Sequence, residues 1–424
     1  MSQPPSKQEE ISVEIASLAA GGSCVGSITA PEELSGKKAF IPFTIPGELV
    51  TATVNRSKRS YVEASLVSIA RQSPHRCAPA CPAFGSCGGC DLQHINLPEQ
   101  RKLKAQMVED LLRIHGGIEA QDGVSLLAAD LPGLSYRRRM SFHINKKGEF
   151  GLYRKHGRSI VELTHCPIST DTINSFLEQS ISLIKGCAPE VETVTVEDHD
   201  GIPHLALEIH PKNLTGAESL LTKEAFRELE RRIPQLQVNF RHKAVYRAAG
   251  VASDGPPVGH FSQNNKLAND AMIEFILQHV QTESVTDLFA GAGNISIPLA
   301  EGAHIVTAVE LDPALVAFGQ TRAEAADVAN RLTFHVSGCE KWIQNYVPAE
   351  TVVLDPPRSG ALEVCQRLSS EVSPYVVYVS CYPPTFARDV QALSERGYYL
   401  KSVSVLDMFP QTYHSELVAL LEKA

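Results

Sequence analysis

Cys381 and Glu416 are the residues whose types and settings point most directly to catalysis. Cys381 follows the apolar run YVVYVS at Tyr375–Ser380. A cysteine at the end of a buried strand can be a nucleophile, because the thiolate is the reactive form. Its plainer reading is a small core hydrophobe. Glu416 stands in FPQTYHSELVALLE, two residues after His414. There a carboxylate can serve as a general base; the alternative is a surface acid. TVVLDPPRSG is a buried strand running into Asp355-Pro356-Pro357-Arg358, and its prolines stiffen a turn that exposes Asp355.

A fourth stretch, DLFAGAGNISIPLA at Asp287–Ala300, reads as strand, glycine loop and helix, with the strand HIVTAVELD after it. Gly291 and Gly293 let the backbone approach a ligand closely. The next helix aims its amide groups at that ligand. Glu310 comes about 20 residues on, where a carboxylate can accept both hydroxyls of a ribose. The third glycine of G-x-G-x-x-G is missing, since Asn294 and Ile295 follow Gly293 directly. Such a loop suits S-adenosylmethionine (SAM), which has no pyrophosphate to cradle. Another nucleotide, or a glycine turn without a ligand, are the competing readings. A thiol and a carboxylate beside a methyl donor suggest one reaction class. Carbon 5 of a pyrimidine becomes nucleophilic only after a thiolate adds to carbon 6, and a separate base must then remove the carbon 5 proton.

The remaining chemistry-bearing residues are cysteines, ten in all. Cys81, Cys87 and Cys90 are spaced C-x5-C-x2-C among Gly85, Gly88 and Gly89. Thiolates gathered by tight turns bind soft metal centres. Cys166, before Pro167 in THCPI, is the best candidate for a fourth ligand. An iron–sulfur cluster leads, with zinc and unliganded thiols as alternatives; Cys77 is read as a bystander. Disulfides are not expected, because the amino terminus MSQPPSKQEE lacks the apolar region of a secretory signal and the protein should be cytoplasmic.

The elements that position these residues follow from patterning. A length of 424 residues suits two to four domains. No apolar run of about 18 residues exists, so no membrane span is expected. The net charge of -9 argues against a wholly basic nucleic-acid coat, not against a local basic groove. Residues 1–10 read as a disordered tail. Residues 11–72 hold about five short strands between Pro/Gly turns, a small OB-like barrel, with a basic tip at Asn55–Tyr61. Residues 73–250 form a mixed α+β central domain. In it His94–Gly117 is helical, and Leu131–Ile168 carries Arg137, Arg138, Arg139, Lys146, Lys147, Arg154, Lys155 and Arg158 interleaved with Tyr136, Phe142, Phe150 and Tyr153. That composition suits a surface gripping phosphates and stacking bases. After a linker at Val251–Gly259, residues 251–424 alternate strand and helix as a doubly wound, Rossmann-like α/β sheet.

Taken jointly, C-x5-C-x2-C, F-x-Q-x-N at Phe261/Gln263/Asn265, DLFxGxGN, LDPPR, VSC and FPxTxHxE resemble the RNA uracil-5-methyltransferase family over nearly the whole chain. Members acting on 23S ribosomal RNA are the nearest match and transfer RNA members the next. The resemblance implies a TRAM barrel, Cys381 as nucleophile and Glu416 as base. It implies SAM contacts at Gln263, Phe289, Asn294, Glu310 and Asp355, and a 4Fe–4S cluster on Cys81, Cys87, Cys90 and Cys166. It also implies a monomer whose barrel and central domain hold RNA. Two positions depart from the family: Tyr382 follows the nucleophile where a small residue is usual, and Ser337-Gly338-Cys339 stands where an acidic or amide side chain meets the adenine. Two other readings compete. One is a purine amino-group methyltransferase, which needs no cysteine; the other is a non-catalytic iron–sulfur RNA-binding or redox protein.

Overall fold

The computed structural model describes residues 9–188, 190–209, 216–233, 235–240, 243–248 and 263–424. The expected linker at Val251–Gly259 and Phe261 of the F-x-Q-x-N motif lie outside the described residues, as does the expected tail up to residue 8. The chain forms two compact units. The first runs to Val108 and includes Arg154–Gly157 and Phe409–His414; the second holds Glu109–Tyr153, Arg158–Met408 and Ser415–Ala424.

In the first unit, β1 (Glu10–Leu18), β2 (Ser23–Ala30), β3 (Lys38–Pro42), β4 (Leu49–Ser57) and β5 (Tyr61–Arg71) close into a barrel in the order β1-β2-β3-β5-β4. Alternation fills its interior: Ile11, Val13, Ile15, Ile41, Val50, Ala52, Val62 and Ala64 are buried. Residues 55–60, with Arg56, Lys58 and Arg59, form the exposed tip between β4 and β5. The expected helix after the cysteine loop runs from Leu97 to Leu111 and ends in a wider turn, Leu112–Gly116.

The second unit carries two sheets. A short strand, β6 (Val124–Leu127), precedes the central ones: β7 (Arg139–Ile144), β8 (Phe150–Tyr153), β9 (Ile160–Glu162), β10 (Val191–His199), β11 (Ile202–Ile209), β12 (Leu236–Phe240) and β13 (Lys243–Arg247). These seven pair in the order β13-β12-β11-β10-β7-β8-β9. Phe142 and Phe150 point into the core at 0% and 1% exposure, and Tyr136 is buried too. This corrects the expectation of a base-stacking aromatic row, since strand alternation sends these rings inward; Tyr153 alone keeps its ring half open, stacked 3.8 Å from His143. The basic residues are partly neutralised: Arg138 pairs with Asp200 and Arg139 with Glu197, each at 3.1 Å.

The C-terminal sheet contains β14 (Ser284–Leu288), β15 (Ile305–Glu310), β16 (Leu332–Val336), β17 (Thr351–Leu354), β18 (Tyr375–Ser380), β19 (Tyr398–Leu406) and β20 (Glu416–Lys423). Its order is β16-β15-β14-β17-β18-β20-β19-β6. The first five strands of that order are parallel, whereas β20 is antiparallel to both β18 and β19. β17 is buried at every position and most of β18 and β20 is too, as continuous apolar runs covered on both faces require. Chain order reverses between β15-β14 and β17-β18, and the carboxyl ends of β14 and β17 flank that reversal, the place where such sheets bind ligands. Among the described residues, no helix is long and apolar enough to cross a membrane.

Candidate active site

The glycine loop leaves β14 through Phe289, whose φ of 66° is left-handed, and continues through Gly291 at 56° and Gly293 at 80°. A Cβ on Gly293 would lie 3.1 Å from Ile297 and Phe334 side chains, so glycine is needed there for space as well as for conformation. Glu310, the last residue of β15, anchors this loop. Its Oε2 accepts the Gly291 amide at 3.0 Å and its Oε1 the Asp312 amide at 2.8 Å. Each carboxylate oxygen has a further lone pair for a ribose hydroxyl. Asn294 is engaged elsewhere, in a reciprocal amide pair with Asn269 at 2.9 and 3.1 Å that ties the loop to helix Lys266–His279. The Phe289 amide donates to Cys339 Sγ at 3.2 Å, and burial pushes that thiol up to about 12, so it stays protonated. Gln263 is half-buried two residues before Asn265, which caps the same helix.

Asp287 lies beneath the loop at 1% exposure. The Ser296 hydroxyl donates to its Oδ2, and its Oδ1 has no partner. Burial, then the charges of Asp355 and Glu310, push this carboxyl up to about 7.

The second half of the site follows from strand register. Ser380 ends β18 opposite Leu417 of antiparallel β20. One step further Cys381 leaves the sheet where Glu416 enters it, so the pairing brings together residues that are 35 apart in sequence. Asp355 follows β17, next to β18, and its amide donates to Leu288 O of β14 at 3.4 Å. Burial pushes the Asp355 carboxyl up to about 6. Glu416 is 6% exposed, and burial, followed by the Asp355 charge, pushes its carboxyl well above the ordinary range, against the pull of Arg358. Burial and then Glu416 also raise the half-buried Cys381 thiol, while the Arg358 guanidinium opposes this and hydrogen-bonds the sulfur. The structure thus gathers a thiol, a cation against it and a carboxylic acid at the sheet edge that carries the glycine loop. Arg358 was not singled out as a site residue from sequence. Its place three residues after Asp355, in the same proline turn, was the available signal.

The cysteine loop belongs to the first unit. Its turns include Gly85 at φ 84°; the Cys81 amide donates to Gln93 Oε1 at 2.9 Å and the Gly89 amide to Cys87 Sγ at 3.4 Å. An amide donated to sulfur is a contact that cluster thiolates use. Cys77 Sγ donates to Gln93 O at 3.5 Å. Cys166 is buried in the second unit, held through its backbone by the Asn174 side chain. Among the described residues, no group of three or more His, Cys, Asp or Glu side chains is arranged to hold a metal ion.

This fold and sheet edge define a Rossmann-like methyltransferase fold joined to a small barrel. The family model described as tRNA (Uracil-5-)-methyltransferase matches residues 340–424, and that of the TRAM domain matches residues 7–67. The chain is 33% identical over 408 residues to the 23S rRNA (uracil(1939)-C(5))-methyltransferase RlmD of Vibrio parahaemolyticus, with 92% of each chain covered. It is 30% identical to that of Hahella chejuensis, with 98% of each covered. In fold it resembles the Pyrococcus abyssi tRNA (uracil-54, C5)-methyltransferase in complex with S-adenosyl-L-homocysteine, with a TM-score of 0.72, 22% identity, and 97% and 99% of the two chains covered. The chain belongs to the RNA uracil-5-methyltransferase family.

Proposed function

We propose that this protein methylates carbon 5 of a uridine in RNA, with 23S ribosomal RNA as the substrate. The observation that carries the reading is the Cys381–Arg358–Glu416–Asp355 group at the carboxyl edge of β14, β15, β17 and β18. The names of the full-length relatives support the choice of RNA. Glu310, the Gly291–Gly293 loop, Phe289, Gln263 and Asp355 are the residues that would hold SAM, with Asn294 fixing the loop through Asn269; SAM supplies the methyl group and leaves as S-adenosylhomocysteine. Arg358 favours the Cys381 thiolate, which forms a bond to carbon 6 of the uridine and shifts the ring's electrons to carbon 5. Glu416 takes the proton from carbon 5 after that carbon has gained its methyl group. The carbon 6–sulfur bond then breaks, and the electron pair returns to Cys381. Glu416 must be ionised to act. Its burial keeps it basic once ionised, and Arg358 offsets part of the cost. The uridine must leave its stack to reach this edge. The exposed tip between β4 and β5 and the basic central strands would hold the surrounding backbone.

A 4Fe–4S cluster on Cys81, Cys87, Cys90 and Cys166 is part of this reading, supported by the spacing and by the amide donated to Cys87. It would staple the cysteine loop. Iron and sulfide analysis of anaerobically purified protein, repeated on Cys87→Ser, tests it, and absence of both elements from the wild type rejects it. Methylation is tested with tritiated SAM and purified ribosomal or transfer RNA, followed by nucleoside digestion. Labelled 5-methyluridine in 23S RNA is expected. A labelled purine, or no label in any RNA, overturns the reading, and label confined to transfer RNA moves the substrate to that class.

A further inference from the structure

Arg358 sits on an exposed loop, yet its effect on Cys381 depends on holding a fixed distance from the sulfur. The means of fixing it lies outside the site, on helix Pro383–Ser394. Asp389 is fully buried. Its Oδ2 accepts the Tyr378 hydroxyl and the Ala361 amide, both at 2.6 Å. Its Oδ1 accepts Arg388 Nε at 2.9 Å and Nη2 at 2.7 Å. Tyr378 lies on β18, three residues before Cys381 at its end, and Ala361 three residues after Arg358 on the same loop. One oxygen therefore joins the strand that carries the thiol to the loop that carries the cation. The same helix holds the loop twice more: Arg388 Nη2 donates to Ser359 O at 2.8 Å, and Thr385 Oγ1 shares its hydrogen between Arg358 O at 3.2 Å and Tyr382 O at 3.1 Å. The loop approaches so closely that a Cβ on Gly360 would lie 2.4 Å from Asp389 Oδ2.

We propose that Asp389 is a positioning residue which, with Thr385 and Arg388, sets the approach of the Arg358 guanidinium to the Cys381 sulfur. This rests on the reading of Cys381 as nucleophile. A helix–loop staple alone would need no link to the nucleophile's strand. Here the tethers end on residues 358, 359 and 361 and on Tyr378. Asparagine cannot replace the carboxylate, because its one oxygen serves only one of the two donor pairs and its amide faces the other.

The test follows alkylation of Cys381 by iodoacetamide from about pH 6 to about pH 10, read on the Cys381 peptide by mass spectrometry, since the thiolate alone reacts. Asp389→Asn and Thr385→Val should move the curve to higher pH, lowering the neutral-pH rate about tenfold for each pH unit moved. Their kcat should fall in parallel, with KM for RNA unchanged. Thr385 is partly exposed, so Thr385→Val tests the tether without disturbing the core, and Thr385→Ser should restore the wild-type curve. Variants that lose thermal stability but keep the wild-type alkylation curve and kcat would overturn the proposal. Turnover by Cys381→Ala would instead overturn the nucleophile reading beneath it.

Discussion

Replacing Asp287 by asparagine should make the protein less stable in acid and more stable in alkali. The carboxyl lies on β14 inside the C-terminal sheet at 1% exposure, with one hydroxyl donor and an unpartnered oxygen. Its pKa rises from an ordinary 3.8 to about 7 on folding. The native state therefore holds this proton more tightly than the unfolded chain. The stabilisation is complete below about pH 4 and is lost as pH rises through about 7. At about 1.4 kcal/mol per pH unit, the loss amounts to about 4 kcal/mol. Asparagine does not titrate, and its oxygen can still accept from Ser296. Its amide hydrogens meet no acceptor, which costs about 1–3 kcal/mol at every pH. The two stability curves should therefore cross between about pH 4.5 and about pH 6, with the variant ahead in alkali. Trp342, the chain's one tryptophan, is 3% exposed on helix Cys339–Asn345 and reports unfolding of this unit by fluorescence in urea. Urea curves for the two proteins that stay parallel from acid to alkali would refute the argument, because they would mean that folding leaves the Asp287 pKa where it is in the unfolded chain.

Three further outcomes follow from the site. Cys381→Ala should abolish methyl transfer while gel-shift affinity for RNA persists; residual turnover would exclude the thiol as nucleophile. Glu416→Gln should leave the carbon 5 proton in place and accumulate an RNA–protein adduct that survives denaturing electrophoresis, and its absence would remove Glu416 from the base role. Gly360→Ala combines a left-handed φ of 77° with a contact 2.4 Å from Asp389. It should cost about 2–4 kcal/mol in urea unfolding, and a change within about 0.5 kcal/mol would show that the loop yields freely.

The sheet edge was legible because its strands announce themselves. Continuous apolar runs ended by Phe289, Asp355 and Cys381 read as buried strands, and ligands gather where such strands end. The barrel showed through its alternation. The pairing that seats Glu416 was not legible, since nothing local in ELVALLEK says that it lies antiparallel between β18 and β19. The Asn294–Asn269 pair and the four donors on Asp389 were equally hidden, because they join segments whose spacing carries no signal. Phe142 and Phe150 misled for the opposite reason. Rings between arginines look like a binding surface until the alternation of β7 and β8 assigns them to the interior.

The hydrogen-bonded ladder of β18 and β20 has a bearing on how such an enzyme can change over time. A strand can shift against its neighbour only in whole residues, and each single step turns every side chain to the opposite face. The distance from sulfur to carboxylate therefore cannot be adjusted gradually by lengthening or trimming the hairpin between β19 and β20. Successful lineages would keep the ladder frozen and vary at the flanking loops, so new substrates would be reached by remodelling whatever surrounds the pair.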